Sequence, residues 1–222
     1  MINTNKKAGF TLAEVLITLG VIGVVATLTL PNVMASYAKR SQVAQLQRSV
    51  NAVTNAAQNY LLENNADSLD GVIFDADRFI SEFLGAAHTG GLSSAMTEYY
   101  RSVSDPNSSA LVFNIIGSYA NPSYACGKLD TGATVCVSYN TQSDGNRALA
   151  IDVNANAGPN VYGRDLFTMG LNPKGKVVAA AGVGGSGGSG YEYGFGGSGG
   201  GCLDDASNCF GQIVHDGWQM KY

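Results

Sequence analysis

MINTNKKAGFTLAEVLITLGVIGVVATLTLP, residues 1–31, changes character after Gly9. The first nine residues are short and polar and carry Lys6 and Lys7. Phe10 to Leu30 follows, 21 residues with one charge, Glu14. At about 1.5 Å per residue, a helix of this run spans roughly 31 Å, the thickness of a bilayer's hydrocarbon core. Lysines just before a spanning run hold the N-terminus on the cytoplasmic side and send the rest of the chain outward. A secretory signal would place a small-residue cleavage site after a shorter apolar core. Here the small residues Ala8 and Gly9 precede it.

A carboxylate inside a spanning helix costs roughly 2.5 kcal/mol or more on insertion scales, so it calls for a polar partner. Thr11, Thr18, Thr27 and Thr29, with Gly20 and Gly23, suit close helix–helix packing, against the plainer reading that small residues are simply tolerated there.

The order of charged residues, Ala8, Gly9, Phe10, Thr11, Leu12, Ala13 and Glu14 resembles the signal of type IV prepilins and type II secretion pseudopilins. The resemblance covers about the first 55 residues. It implies cleavage between Gly9 and Phe10 by prepilin peptidase and N-methylation of Phe10. It also gives Glu14 an assembly role and makes Pro31 the place where the helix bends or loosens. Cleavage creates the partner that Glu14 needs, the Phe10 amine. Pairing within one chain, four residues apart, competes with pairing to the next subunit; the second is favoured because it fixes axial register. The resemblance further implies partnership with other pilins, an inner-membrane platform and an ATPase. The precursor then sits once through the bacterial inner membrane with its head outside the cytoplasm, and the product is a periplasmic or extracellular filament.

The expected organisation is a leader over 1–9, an apolar half-helix over 10–30, an amphipathic half-helix over 31–62 and a head over 63–222. Val43, Leu46, Val50, Val53, Ala57 and Tyr60 recur at spacings of three and four, which makes one buried helix face. Pro31 lacks an amide proton and is expected to break or kink the helix locally. A second helix is expected over Asp75–Leu84, with Phe79, Ile80, Phe83 and Leu84 as its stripe and Gly85 as its stop. The period then changes to two. Strands are expected at Ala110–Ile116, Ala133–Tyr139, Arg147–Val153, Leu166–Leu171 and Lys176–Ala180, and Ile213, Val214 and Trp218 are expected to return to the sheet. The fold class is α+β and pilin-like: a long N-terminal helix whose second half packs on a small antiparallel sheet.

The four cysteines, Cys126 with Cys136 and Cys202 with Cys209, form close pairs with no C-x-x-C spacing, and His88 and His215 are the only histidines. That argues against zinc and for two local disulfides in an oxidising compartment; buried free thiols are the alternative. Residues 182–201 are dominated by glycine and serine and read as an extended surface loop, since no Gly-Lys-Ser/Thr ending is present.

Asp152, Asn154 and Asp165 lie in DVNANAGPNVYGRD, residues 152–165. The stretch opens like an EF-hand loop, but its glycine is late by one and the twelfth position holds no glutamate. Two readings stand: side chains capping local turns, or calcium held by these three residues. No enzyme site emerges.

The chain has 222 residues and a formal charge of −4. Loss of residues 1–9 removes two of the 13 basic residues and leaves 11 against 17 acidic, a net of −6. Nucleic acid is a poor default partner for such a surface. The competing function is a minor, tip-located pilin whose head binds a surface, a secreted substrate or DNA.

Overall fold

In a computed structural model, residues 9–88, 101–102, 124–142, 145–155, 157, 161–179, 202–203 and 208–222 are described. The expected strand Ala110–Ile116 and the glycine-rich segment 182–201 lie outside them. The chain divides into two compact units, residues 1–39 and 40–222. Helix α1, Leu12–Glu63, runs 52 residues and passes without interruption through Pro31. Pro31 therefore does not end the helix. Its missing amide removes one backbone bond, and the surrounding turns of α1 carry the helix past it.

In the second unit, the expected stripe of α1 is buried: Leu46, Val53 and Ala57 have no exposed surface, and Val43, Val50 and Tyr60 little. Next come a 3₁₀ turn, Leu69–Gly71, and one helical turn, α2 (Ala76–Arg78), which widens into a π-helical turn, Phe79–Phe83. A helix thus stands where one is expected over Asp75–Leu84, but most of it is π-helical. The Asp75 carboxylate caps the start by accepting the Arg78 amide at 3.0 Å. The Leu84 amide then reaches back five residues to the Phe79 carbonyl, at 2.9 Å. Phe79 and Ile80 are both fully buried, and Phe83 and Leu84 partly. Four apolar residues in adjacent pairs occupy a wider arc than one α-helical stripe, and the wider turn turns all four toward the core.

The sheet is built on β1 (Ala87–His88), β3 (Tyr124–Lys128), β4 (Thr134–Thr141), β5 (Arg147–Asp152), β7 (Leu166–Leu171) and β8 (Val177–Ala179), paired antiparallel in that order. Two short strands, β6 (Val161–Tyr162) and β2 (Arg101–Ser102), extend it with parallel pairings. Helix α3, Cys209–His215, packs against β7 and β8. Ile213 and Val214 are thus helical, not strand. Phe210, Ile213 and Val214 stand at i, i+3 and i+4, a helical stripe in a segment too short to show its period clearly.

Register places Gly127, Val135, Ile151 and Phe167 in one row across the sheet, with Ala125, Val137, Leu149 and Met169 beside it on the same face. Gly127 is required there. A Cβ at this position would lie 2.4 Å from Ile80 Cγ2 and 2.8 Å from Ala86 Cβ. The β7–β8 hairpin closes on Gly175 at φ 73°. Ala57 and Leu61 of α1 would meet a Cβ there at 3.1 and 3.3 Å, so the hairpin tip rests directly on the helix. The Gln58 amide fastens it by donating to the Lys174 carbonyl at 2.8 Å.

Tyr60 is the hub that ties α1 to the following segment. Its ring lies 5.2 Å from Phe74, 6.0 Å from Phe79 and 5.0 Å from Phe83. Its hydroxyl donates to the Ile73 carbonyl and accepts the Asp75 amide. The sheet side contributes Arg147, 7% exposed, with its guanidinium 4.3 Å over the Phe74 ring and one N–H donated to the Tyr139 carbonyl. Burial pushes the Arg147 pKa down and Asp70 opposes the shift; an arginine starts so high that it stays charged.

Both disulfides form as expected. Cys126 and Cys136 sit directly opposite each other on β3 and β4, and Cys202 joins Cys209 at the start of α3. Chain-entropy arguments give each short loop about 2 to 3 kcal/mol of stabilisation. Gly127→Ala is expected to destabilise the head by about 1 to 3 kcal/mol through overpacking against Ile80, read as a lower urea midpoint by near-UV circular dichroism of the full chain in detergent; an unchanged midpoint contradicts the close packing.

Candidate functional site

The region that carries chemistry is the start of α1. Gly9, Phe10 and Thr11 precede the helix, so the Gly9–Phe10 peptide lies outside helical hydrogen bonding. Phe10 is 89% exposed, and a Cβ at Gly9 would meet nothing within 4 Å. Packing within the chain does not demand glycine here. Any requirement for it comes from outside the molecule.

Thr11 and Glu14 set the boundary. The Thr11 amide and hydroxyl both donate to Glu14 Oε2 at 2.8 Å, and the Glu14 amide donates back to Thr11 Oγ1 at 3.3 Å. This reciprocal pair is a capping box, in which a threonine at the helix cap and a glutamate three residues on satisfy two amides that have no helical partner. The signal was present in the sequence as Thr-Leu-Ala-Glu before an apolar run, and it was not recognised there. The box turns the Glu14 carboxylate back toward residues 10 and 11. Both Thr11 bonds fall on Oε2; among the described residues Oε1 has no partner.

The other threonines spend their hydroxyls on their own helix. Thr18 donates to the Val15 carbonyl at 3.0 Å, Thr27 to Gly23 at 2.8 Å and Thr29 to Val25 at 2.9 Å. Such back-bonding hides a hydroxyl from an apolar environment. It leaves Glu14 as the one ionisable side chain of residues 10–30. The large apolar side chains from Phe10 to Tyr37 are exposed, and α1 is long and apolar enough to cross a membrane.

Asp152, Asn154 and Asp165 come together at the β5 end. The Asp152 carboxylate accepts the Asn154 amide at 3.1 Å, and the Asp165 carboxylate accepts the Val161 amide at 3.1 Å. The Asn154 side chain donates to the Ala157 carbonyl, and the Val153 amide donates to the Asp165 carbonyl at 2.8 Å. Both aspartates are fully buried. Among the described residues no group of three His, Cys, Asp or Glu side chains is placed to hold a metal ion. His215, exposed at the end of α3, lies 3.5 Å from the Asp216 carboxylate, and the side chain of His88 lies outside the described set.

Residues 4–30 match the family described as the prokaryotic N-terminal methylation motif, the signal of type IV pilins and pseudopilins. No curated protein and no solved structure matches the chain. The chain carries a prepilin-peptidase substrate signal, and its apolar helix fits a membrane-anchored precursor.

Loss of one capping interaction costs about 1 kcal/mol, roughly a fivefold change in local opening. Thr11→Val is therefore expected to speed hydrogen exchange of the Glu14 amide about fivefold in detergent micelles. Unchanged exchange contradicts the box. For residues 152–165, backbone bonding by both carboxylates predicts no change in melting temperature at millimolar calcium; a chelator-reversible rise contradicts it.

Proposed function

We propose that this chain is a structural subunit, pilin or pseudopilin, of a type IV pilus or type II secretion-like filament. The observation that carries the reading is the coincidence within one matched segment of an accessible Gly9–Phe10 peptide, a capped helix start at Thr11 and Glu14, and an uncharged, mostly apolar and unpacked helical run behind them. Prepilin peptidase cuts after Gly9 and methylates the Phe10 amine. Methylation leaves that amine basic.

The precursor is stored in the inner membrane with its head outside the cytoplasm. An ATPase-driven platform then moves it into a filament whose core is a bundle of these helices. Exchange of lipid for helix surroundings changes apolar burial little, because both are hydrocarbon. The polar step is the one that discriminates. Glu14 Oε2 is held by its own Thr11, and Oε1 receives the methylated amine of the neighbouring subunit, a charge-assisted bond that sets axial register.

Glu14→Val separates processing from assembly. It is expected to leave cleavage after Gly9 intact and to remove the subunit from sheared filament fractions. Normal incorporation of the variant contradicts the assembly role.

A further inference from the structure

The exposed face of α1 in the head has an unusual charge pattern. Arg40, Ala44, Gln47, Arg48, Asn51 and Asn55 are exposed and recur at spacings of three and four, one continuous stripe. Between Glu14 and Glu63 the sequence has no acidic residue, and its only charges are Lys39, Arg40 and Arg48. A solvated helix face ordinarily mixes both signs. Among the described residues neither Arg40 nor Arg48 is in an ion pair.

The sign then reverses. Residues 63–82 hold six carboxylates, Glu63, Asp67, Asp70, Asp75, Asp77 and Glu82, against the single cation Arg78. Arg78 is committed to Glu63 and Glu82, Asp75 caps the helical turn, and Asp77 accepts the Tyr139 hydroxyl. Asp67 and Asp70 are exposed, and among them stand two large apolar side chains in the open, Leu62 at 75% and Ile73 at 98% exposure. An acidic surface with apolar centres and a carboxylate-free arginine stripe are complementary in charge, as partner surfaces are.

We infer that the arginine stripe of one subunit docks on the 62–82 surface of a second copy of the same chain. From Arg48 to Glu63 is about 22 Å along the helix, too far for Arg48 to pair with Glu63 of its own chain. The two surfaces differ, which makes the contact heterologous: each subunit offers one free face of each kind after binding, and growth continues instead of closing as a dimer. The contact also gives a net-acidic subunit a local attraction that offsets the repulsion between heads. This inference rests on the filament reading and adds to it a specific head–head contact, separate from the Glu14 register in the core.

The test uses the full chain in a bacterium that assembles it. A photoreactive benzoylphenylalanine at position 51, between the arginines and the acidic end, is expected to give a covalent dimer whose linked peptide maps within residues 62–82. Arg40→Glu with Arg48→Glu is expected to lower filament yield about tenfold or more, because like charges then face each other. Adding Asp67→Lys and Asp70→Lys to the same chain restores it. Retained disulfides and trypsin resistance show that each variant folds. A cross-link to phospholipid alone, a link to another segment, or reversal variants with wild-type yield overturns the inference. Absence of any filament from the wild-type chain instead overturns the filament reading, and a link from position 51 to residues 62–82 in the membrane still reports on the contact by itself.

Discussion

The apolar stripe from Val43 to Tyr60 has to be covered, and the head is organised around covering it. Burying a side chain of this size stabilises by about 1.5 to 3 kcal/mol. A helix in water cannot recover that alone, since helical propensity contributes little by comparison. The row of Val135, Ile151 and Phe167, the hairpin tip at Gly175 and the ring cluster around Tyr60 all belong to one buried core with that stripe. Two polar groups that enter beside the ring cluster are tied: the Tyr60 hydroxyl to two backbone groups, Arg147 to the Phe74 ring and the Tyr139 carbonyl.

The other half of the same helix obeys a different rule. Its apolar side chains are exposed all round, and its threonines return their hydroxyls to their own backbone, so little on it competes with lipid or with another helix for polar contacts. Against that background a single carboxylate carries disproportionate weight. The capping box makes Glu14 tolerable in an apolar setting by giving Oε2 two donors, and it turns the carboxylate toward residues 10 and 11, where the proposed cleavage would create a cation. In the proposed assembly, local helix chemistry and subunit pairing use the same side chain.

Much of this was legible in the sequence because the deciding patterns are long. A 21-residue apolar run and a stripe repeated over five turns of helix survive small errors of register, as does the alternation in Ala133–Tyr139. Short elements were harder. Strand β3, Tyr-Ala-Cys-Gly-Lys, has small residues where alternation would show, and its signal lay elsewhere: Cys126 and Cys136 are symmetric about Leu-Asp-Thr-Gly-Ala, which makes a hairpin of the pair. The π-helical turn at Phe79 depends on core space that no local pattern reports, and α3 has two turns, too few for period to separate helix from strand. At the candidate site, Gly9, Phe10 and Glu14 stand out by resemblance, whereas the Thr11 cap is masked because a lone carboxylate in an apolar run reads first as a buried charge and not as the partner of the residue three before it.

The central claim is that the chain is cut after Gly9 and modified at the new terminus. Mass spectrometry of the N-terminal peptide from membrane-extracted protein tests it most directly. The account predicts a chain that begins at Phe10 and carries one methyl group on its amine. A chain that begins at Met1, or beyond the apolar run, or at Phe10 without the methyl group, contradicts it.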